Sequence, residues 1–351
     1  MAHEESREEL REELREEEVL TGVEGRLGRI TLNRPRALNA LTHGMVRRLD
    51  AALAGWEQDP AVEAVVLTGA GERGLCAGGD IRAIHEDARA RGGASGPFWR
   101  DEYRLNARIA RYPKPYVAVM DGIVMGGGVG VSAHGSLRVV TERSRVAMPE
   151  TGIGFVPDVG GTFLLSRAPG ELGTHLALTG DAVGAADALL CGLADHFVPS
   201  AELPALLRDA LEVPVAEAPP GELAAAREWI DRCYAADTVE EILERLRADG
   251  SRGAKEAAGT LERRSPTSLK VTLAALRRAR ELATLEEVLE QEYRVSCACL
   301  DSPDLVEGIR AQVVDKDRSP RWSPATLAEV TEADVERFFA PREHEGLGLA
   351  P

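Results

Sequence analysis

The sequence predicts an α/β protein with a helical C-terminal segment, and three observations carry that prediction. Short apolar runs alternate with amphipathic stretches from Val23 to about residue 214. Glycine-rich turns close several of those runs, and beyond Pro219-Pro220-Gly221 only helical periodicity remains. With 351 residues, 44% of them hydrophobic, the chain has enough apolar surface for one large core.

Taken in chain order, Glu4 to Glu18 reads EESREELREELREEE, whose Arg–Glu spacing favours helix but leaves hardly any apolar stripe, so residues 1–20 are expected to be an acidic, solvated tail. Gly28 to Leu32 reads as a strand turned by Asn33-Arg34-Pro35. Met45, Val46, Leu49, Ala52, Leu53 and Trp56 recur at helical steps with one buried face. Val62 to Leu67 and Tyr116 to Met120 are two further strands. A core over 21–215 is expected, then a helical segment over 216–345, with strong periodicity at Leu269 to Leu282 and Leu285 to Val295.

Charge and composition exclude several functions. Forty-two basic against 58 acidic residues give a net charge of −16, which repels nucleic acid and anionic membranes. Small phosphate-bearing ligands stay open, because local arginines or helix N-termini bind them whatever the global charge. Cys76, Cys191, Cys233, Cys297 and Cys299 form no CxxC pair and read as reduced core thiols; no metal is expected. No apolar run reaches the roughly 20 residues a bilayer span needs, and the N-terminus lacks the apolar core of a signal peptide, so a cytoplasmic protein is expected.

Three stretches are chemically suggestive. Leu75-Cys76-Ala77-Gly78-Gly79-Asp80-Ile81 comes after a strand and precedes a helix, a turn that exposes backbone N–H groups to a phosphate or an oxyanion. Taken alone it reads more readily as a plain strand-to-helix turn. Asp121-Gly122-Ile123-Val124-Met125-Gly126-Gly127-Gly128-Val129-Gly130 carries four glycines in five residues, which calls for a close approach to the backbone by a ligand or by a packed neighbour. Gly128, Gly130 and Ala133 also match a dinucleotide fingerprint, but too deep in the chain and with no acidic strand end at the right distance, so no nicotinamide cofactor is expected. The third stretch, Ala147 to Gly161, sets Glu150 and Asp158 in an apolar, glycine- and proline-rich loop, where burial can separate their acid and base roles. The competing reading makes both carboxylates helix caps, with Asp158 placed as the N-cap of a helix entered through Val159-Gly160-Gly161.

Together, in this order, the three motifs resemble the crotonase (enoyl-CoA hydratase/isomerase) superfamily. The resemblance implies a crotonase-like spiral of ββα units and an oxyanion hole from the N–H groups of Gly79 and Gly127. Typical hydratases of the family carry a second glutamate three residues after that second glycine; here the position is Gly130. Met148 to Gly154, Pro157 to Gly161, Gly192 to Val198 and Asp315 to Trp322 instead resemble the 3-hydroxyisobutyryl-CoA hydrolase branch, over roughly Val23 to Phe339.

That branch implies hydrolysis of a short 3-hydroxyacyl-CoA in valine catabolism. Glu150 is implied as nucleophile or general base, Asp158 as its catalytic partner and Glu102 as the contact for the substrate hydroxyl. Arg34, Arg36 and Arg82, with Arg73, are the candidate cations for the coenzyme's phosphates, and Asp80 and Ile81 belong to the same coenzyme-A-binding turn. Coenzyme A is part of the substrate and no separate cofactor is expected. Self-association is also implied, since crotonase-like proteins often form trimers or hexamers. An enoyl-CoA isomerase or hydratase, or an acyl-CoA-binding protein without turnover, are the alternatives.

Overall fold

The computed structural model describes residues 17–210, 212–213, 216–341 and 346–349. The expected acidic helix therefore lies almost wholly outside the described residues, as do positions 214–215 at the expected core boundary.

Two sheets organise the described residues. One has the order β1(Val19–Glu24), β2(Leu27–Leu32), β3(Ala64–Gly69), β5(Tyr116–Met120), β7(Leu137–Val140), β9(His196–Phe197), and the other the order β4(Gly74–Cys76), β6(Ile123–Met125), β8(Arg145–Ala147). β1 and β2 pair antiparallel, and every later pairing is parallel. Successive strand pairs β3–β4, β5–β6 and β7–β8 each place one strand in each sheet, and helices come after them, which is the spiral of ββα units. β1 corrects the expected boundary of the tail: the strand begins at Val19, because its residues pair with β2 from Val19↔Leu32 to Glu24↔Leu27. β3 likewise runs through Gly69 and starts at Ala64, a register set by pairing with β2 that its apolar pattern did not reveal.

The helices of the core are α1(His43–Trp56), α2(Ile81–Ala90), α3(Ser95–Ala110), α4(Gly127–Ser132), α5(Gly161–Ser166), α6(Leu172–Thr179), α7(Ala185–Leu190) and α8(Leu203–Leu206). Thr42 caps α1 by accepting from the Met45 N–H, and Asp80 caps α2 by accepting from Ala83. Beyond Gly221 come α9(Leu223–Tyr234), α10(Val239–Asp249), α11(Arg252–Leu261), α12(Pro266–Ala279), α13(Leu285–Cys299), α14(Pro303–Ile309) and α15(Glu332–Phe339). A capping box at Thr284 and Glu287 starts α13.

The long C-terminal segment shares the main core. Leu276, Leu289, Tyr293 and Leu305 belong to the same buried cluster as Leu32, Leu67 and Val124. A smaller cluster of Val66, Val117, Val139 and Leu206 covers the other face of the large sheet, so β3 alternates Val65 and Leu67 inward with Ala64 and Val66 outward. α13 packs along α3, α12 against α5 and α6, and α14 against α2. All five cysteines are free and buried.

Candidate active site

One pocket, with about 820 Å³ of empty space partly open to solvent, lies where the glycine turns meet the carboxylate loop. Its floor is backbone. The turn after β4 brings Gly78 and Gly79 against Met125, Gly126 and Gly127, which join β6 to α4. A Cβ on Gly127 would sit 3.3 Å from the Gly79 nitrogen and 2.6 Å from Glu102 Oε1, so a larger residue would push the Glu102 carboxyl aside and press on the Gly79 turn. Gly126, at φ +49, makes the bend that starts α4. Among the described residues, neither the Gly79 nor the Gly127 N–H takes part in the backbone hydrogen bonding of turns and caps.

The opposite wall carries three carboxyl groups. Glu102 on α3, Glu150 at the first position of a 3₁₀ turn (Glu150–Ile153), and Asp158 are 2%, 6% and 5% exposed. None forms an ion pair among the described residues, and Glu102 Oε1 and Glu150 Oε2 are buried without a hydrogen-bond partner there. Burial first, then the charge of Asp158, pushes the carboxyls of Glu102 and Glu150 well above the ordinary range. Burial likewise lifts Asp158 to about 7, against the lowering effect of the Tyr103 hydroxyl, which donates to Asp158 Oδ2 at 2.6 Å. Crowded carboxyls of this kind hold protons to higher pH than free ones and can exchange them with a ligand.

Asp158 does not cap the helix after it: α5 begins beyond Gly160 with no side-chain cap from its own segment. Only the Asp158 backbone carbonyl takes part there, accepting from the Gly161 N–H. The next residue, Val159, is left-handed at φ +52, and Gly160 is at φ +78.

Gly130 is more than a missing glutamate. A Cβ there would lie 2.7 Å from Val159 Cβ and 2.9 Å from Asn106 Nδ2, so the space into which a side chain would project is filled.

The coenzyme-A candidates divide. Ile81 lines the pocket. Asp80 caps α2 and accepts from Arg34 Nη2 at 3.0 Å, and it faces a neighbouring cavity beyond Phe98 and Ile84. Arg34 also donates to the Ala40 carbonyl and pairs with Glu18, Arg73 donates to the Pro35 and Arg36 carbonyls, and exposed Arg82 donates to Val313. Arg36 is exposed on a short turn, and none of these arginines lines the pocket.

Sequence reasoning missed several pocket residues. Phe98, Trp99 and Phe155 form its apolar side, with Trp99 stacked on Phe155 at 5.3 Å between centroids. The helical spacing of Phe98, Trp99, Glu102, Tyr103 and Asn106 marks a single buried face of α3 and was the available signal for Tyr103. Arg264 and Gln312, which arrive from the C-terminal segment, have no local signal.

A pair of facing backbone turns opposite buried carboxyls, on a ββα spiral, defines a crotonase-fold protein. A sequence profile described as enoyl-CoA hydratase/isomerase matches residues 27–339, and the chain belongs to that family. Among individual proteins, it is 45% identical to the mitochondrial 3-hydroxyisobutyryl-CoA hydrolase of Danio rerio, over 95% of this chain and 92% of the relative. It is 46% identical to that of Homo sapiens, over 92% and 88%. Two solved structures superpose closely: a carnitinyl-CoA dehydratase from Mycobacterium thermoresistibile (59% identity, TM-score 0.91, covering 94% and 98%) and an enoyl-CoA hydratase from Rhodobacter sphaeroides (47%, TM-score 0.90, 93% and 98%).

These relatives overturn the expectation of a cytoplasmic protein, since the hydrolases it matches are mitochondrial. The physical basis of that expectation was insufficient: the lack of an apolar segment separates membrane from water but does not separate one aqueous compartment from another. No described helix is long and apolar enough to cross a membrane.

Proposed function

We propose that the chain hydrolyses the thioester of a short 3-hydroxyacyl-CoA, the class of substrate named in its 3-hydroxyisobutyryl-CoA hydrolase relatives. The observation that carries this reading is the filled space at Gly130. A second glutamate for adding water across a double bond has no room there, while Glu102, Glu150 and Asp158 meet in one pocket.

The chemistry is set by where charge develops. The thioester oxygen sits between the N–H groups of Gly79 and Gly127, whose dipoles are already oriented when attack makes that oxygen anionic. Glu150, once its proton has passed to Asp158 or to solvent, either attacks the carbonyl, giving a mixed anhydride that water opens, or takes a proton from the attacking water. In both routes the coenzyme leaves as a thiolate and needs a proton. Asp158, lifted to about 7, is poised to hold and return one at neutral pH. Glu102, whose carboxyl burial raises well above the ordinary range, donates to or accepts from the 3-hydroxyl. The bulk of the coenzyme would leave the pocket past Ile81, and the arginines of the first turn remain its candidate phosphate contacts.

A second reading is a dehydratase, supported by the 59%-identical structure and by the aromatic side of the pocket. Phe98, Trp99 and Phe155 beside three carboxyls would suit a cationic acyl group. The test offers 3-hydroxyisobutyryl-CoA, 3-hydroxypropionyl-CoA, carnitinyl-CoA, crotonyl-CoA and a 3-enoyl-CoA, monitoring free thiol and enoyl absorbance together. Thiol release from the hydroxyacyl esters alone is the expected result. Enoyl absorbance changing without thiol defeats the hydrolase reading. Asp158→Asn then separates a hydrolase, which should collapse, from an isomerase resting on Glu150, which should survive.

A further inference from the structure

The loop that presents Asp158 is held by residues far away in the chain, and the grip is strongest at one carboxylate. Val159 is β-branched and left-handed, a conformation that such residues avoid unless their surroundings impose it. Glu292, on α13 and 1% exposed, accepts from the Gly160 N–H at 2.6 Å, the Thr162 N–H at 2.8 Å and the Thr162 hydroxyl at 2.6 Å. These donors stand immediately after the strained residue, two and four positions beyond Asp158. From the other side, His134 Nε2 lies 2.7 Å from the Val159 carbonyl; a carbonyl can only accept, so Nε2 carries the proton. Ser296, one turn along α13 from Glu292, lies 2.7 Å from the Tyr103 hydroxyl that donates to Asp158.

We infer that Glu292 is a positioning residue for Asp158: by collecting the three donors of Gly160 and Thr162 it holds the left-handed step at Val159 and so aims the catalytic carboxyl. The inference rests on the thioester-hydrolase reading for its activity assay. A buried acid that served packing alone would not need all three of its contacts on one side of one loop. The long C-terminal segment thereby contributes to the reaction without touching the substrate at this position.

Glu292→Gln is the direct test, because an amide offers one acceptor oxygen and turns an N–H donor toward the donors of the loop. The expected result is a kcat for thiol release lower by about 10- to 100-fold with KM within about threefold, since the glycine turns and aromatic wall are untouched. Hydrogen exchange should rise at residues 158–162 and stay at the wild-type level at residues 126–130. Thr162→Val, which removes only the hydroxyl donor, should lower kcat about three- to tenfold and keeps the question decidable if the glutamine variant does not fold. A wild-type kcat in either folded variant, or a loss of kcat matched by a rise in KM, overturns the inference. If the wild type releases no thiol from any ester, the thioester reading falls alone, and unchanged exchange at 158–162 in Glu292→Gln would still refute the positioning role.

Discussion

The two walls of the pocket are made by different means. The wall proposed to hold the thioester oxygen consists of main chain, and its shape comes from two short glycine clusters, at 78–79 and 126–128, that the fold brings together. The carboxyl side is made of three side chains from α3, the 3₁₀ turn and the Asp158 loop, and Tyr103, Ser296 and Glu292 support it from α3 and α13. Each turn of that wall is therefore encoded locally and needs no particular side chain. The other is assembled from side chains across the whole fold and depends on charge and burial, which teaches that a backbone cradle and a carboxyl cluster can be specified at different ranges along one chain.

The comparison can be broken at either wall. The largest effect is expected from the local one: Gly127→Ala puts a methyl group 2.6 Å from Glu102 Oε1 and displaces the adjacent N–H. A loss of about 10²–10³-fold in kcat for thiol release is expected, the scale of one oxyanion donor. A steady-state assay showing less than a tenfold loss would remove that wall from the mechanism.

Tyr103→Phe tests the distant wall. Its hydroxyl lowers the pKa of Asp158, so its removal should move the acid limb of the kcat/KM–pH profile upward from about 7, with a loss of roughly tenfold at neutral pH. A downward movement contradicts the assignment.

Gly130→Glu asks whether the missing glutamate can be restored. The methylene would press on Val159 and Asn106, and a destabilisation of about 1–3 kcal/mol in denaturant unfolding is expected, with no crotonyl-CoA hydration gained. Appearance of hydratase activity would show that the space is not closed.

The smallest effect concerns stability. Glu150 has its carboxyl pKa raised in the folded state, so its favourable contribution is complete below the ordinary carboxylate range and is lost as pH rises through the raised value. Glu150→Gln does not titrate and should therefore melt higher than the wild type at pH 8, by a few degrees, with the gap closing toward pH 5. Thermal scans at the two pH values check the sign.

Much of this was legible in the chain. The strand of Tyr116 to Met120, the helix of His43–Trp56, the glycine turns and the family are set by features that act over a few residues, where periodicity and the absence of a Cβ restrict the backbone directly. The arginines near the first turn illustrate the limit: their type is legible in the sequence, but the pairing of Arg34 with Asp80 and Glu18 is supplied only by folding.

By itself the sequence determined the α/β class, the two backbone turns and the presence of Glu150 and Asp158 in one apolar loop, because each is encoded by adjacent residues; the spiral of ββα units came only through the family resemblance. Only the tertiary structure decided that Gly130 faces a filled space, that β1 completes the sheet, and that Tyr103, Ser296 and Glu292 converge behind Asp158. Those outcomes depend on which distant side chains are packed together, and on the desolvation that their packing creates.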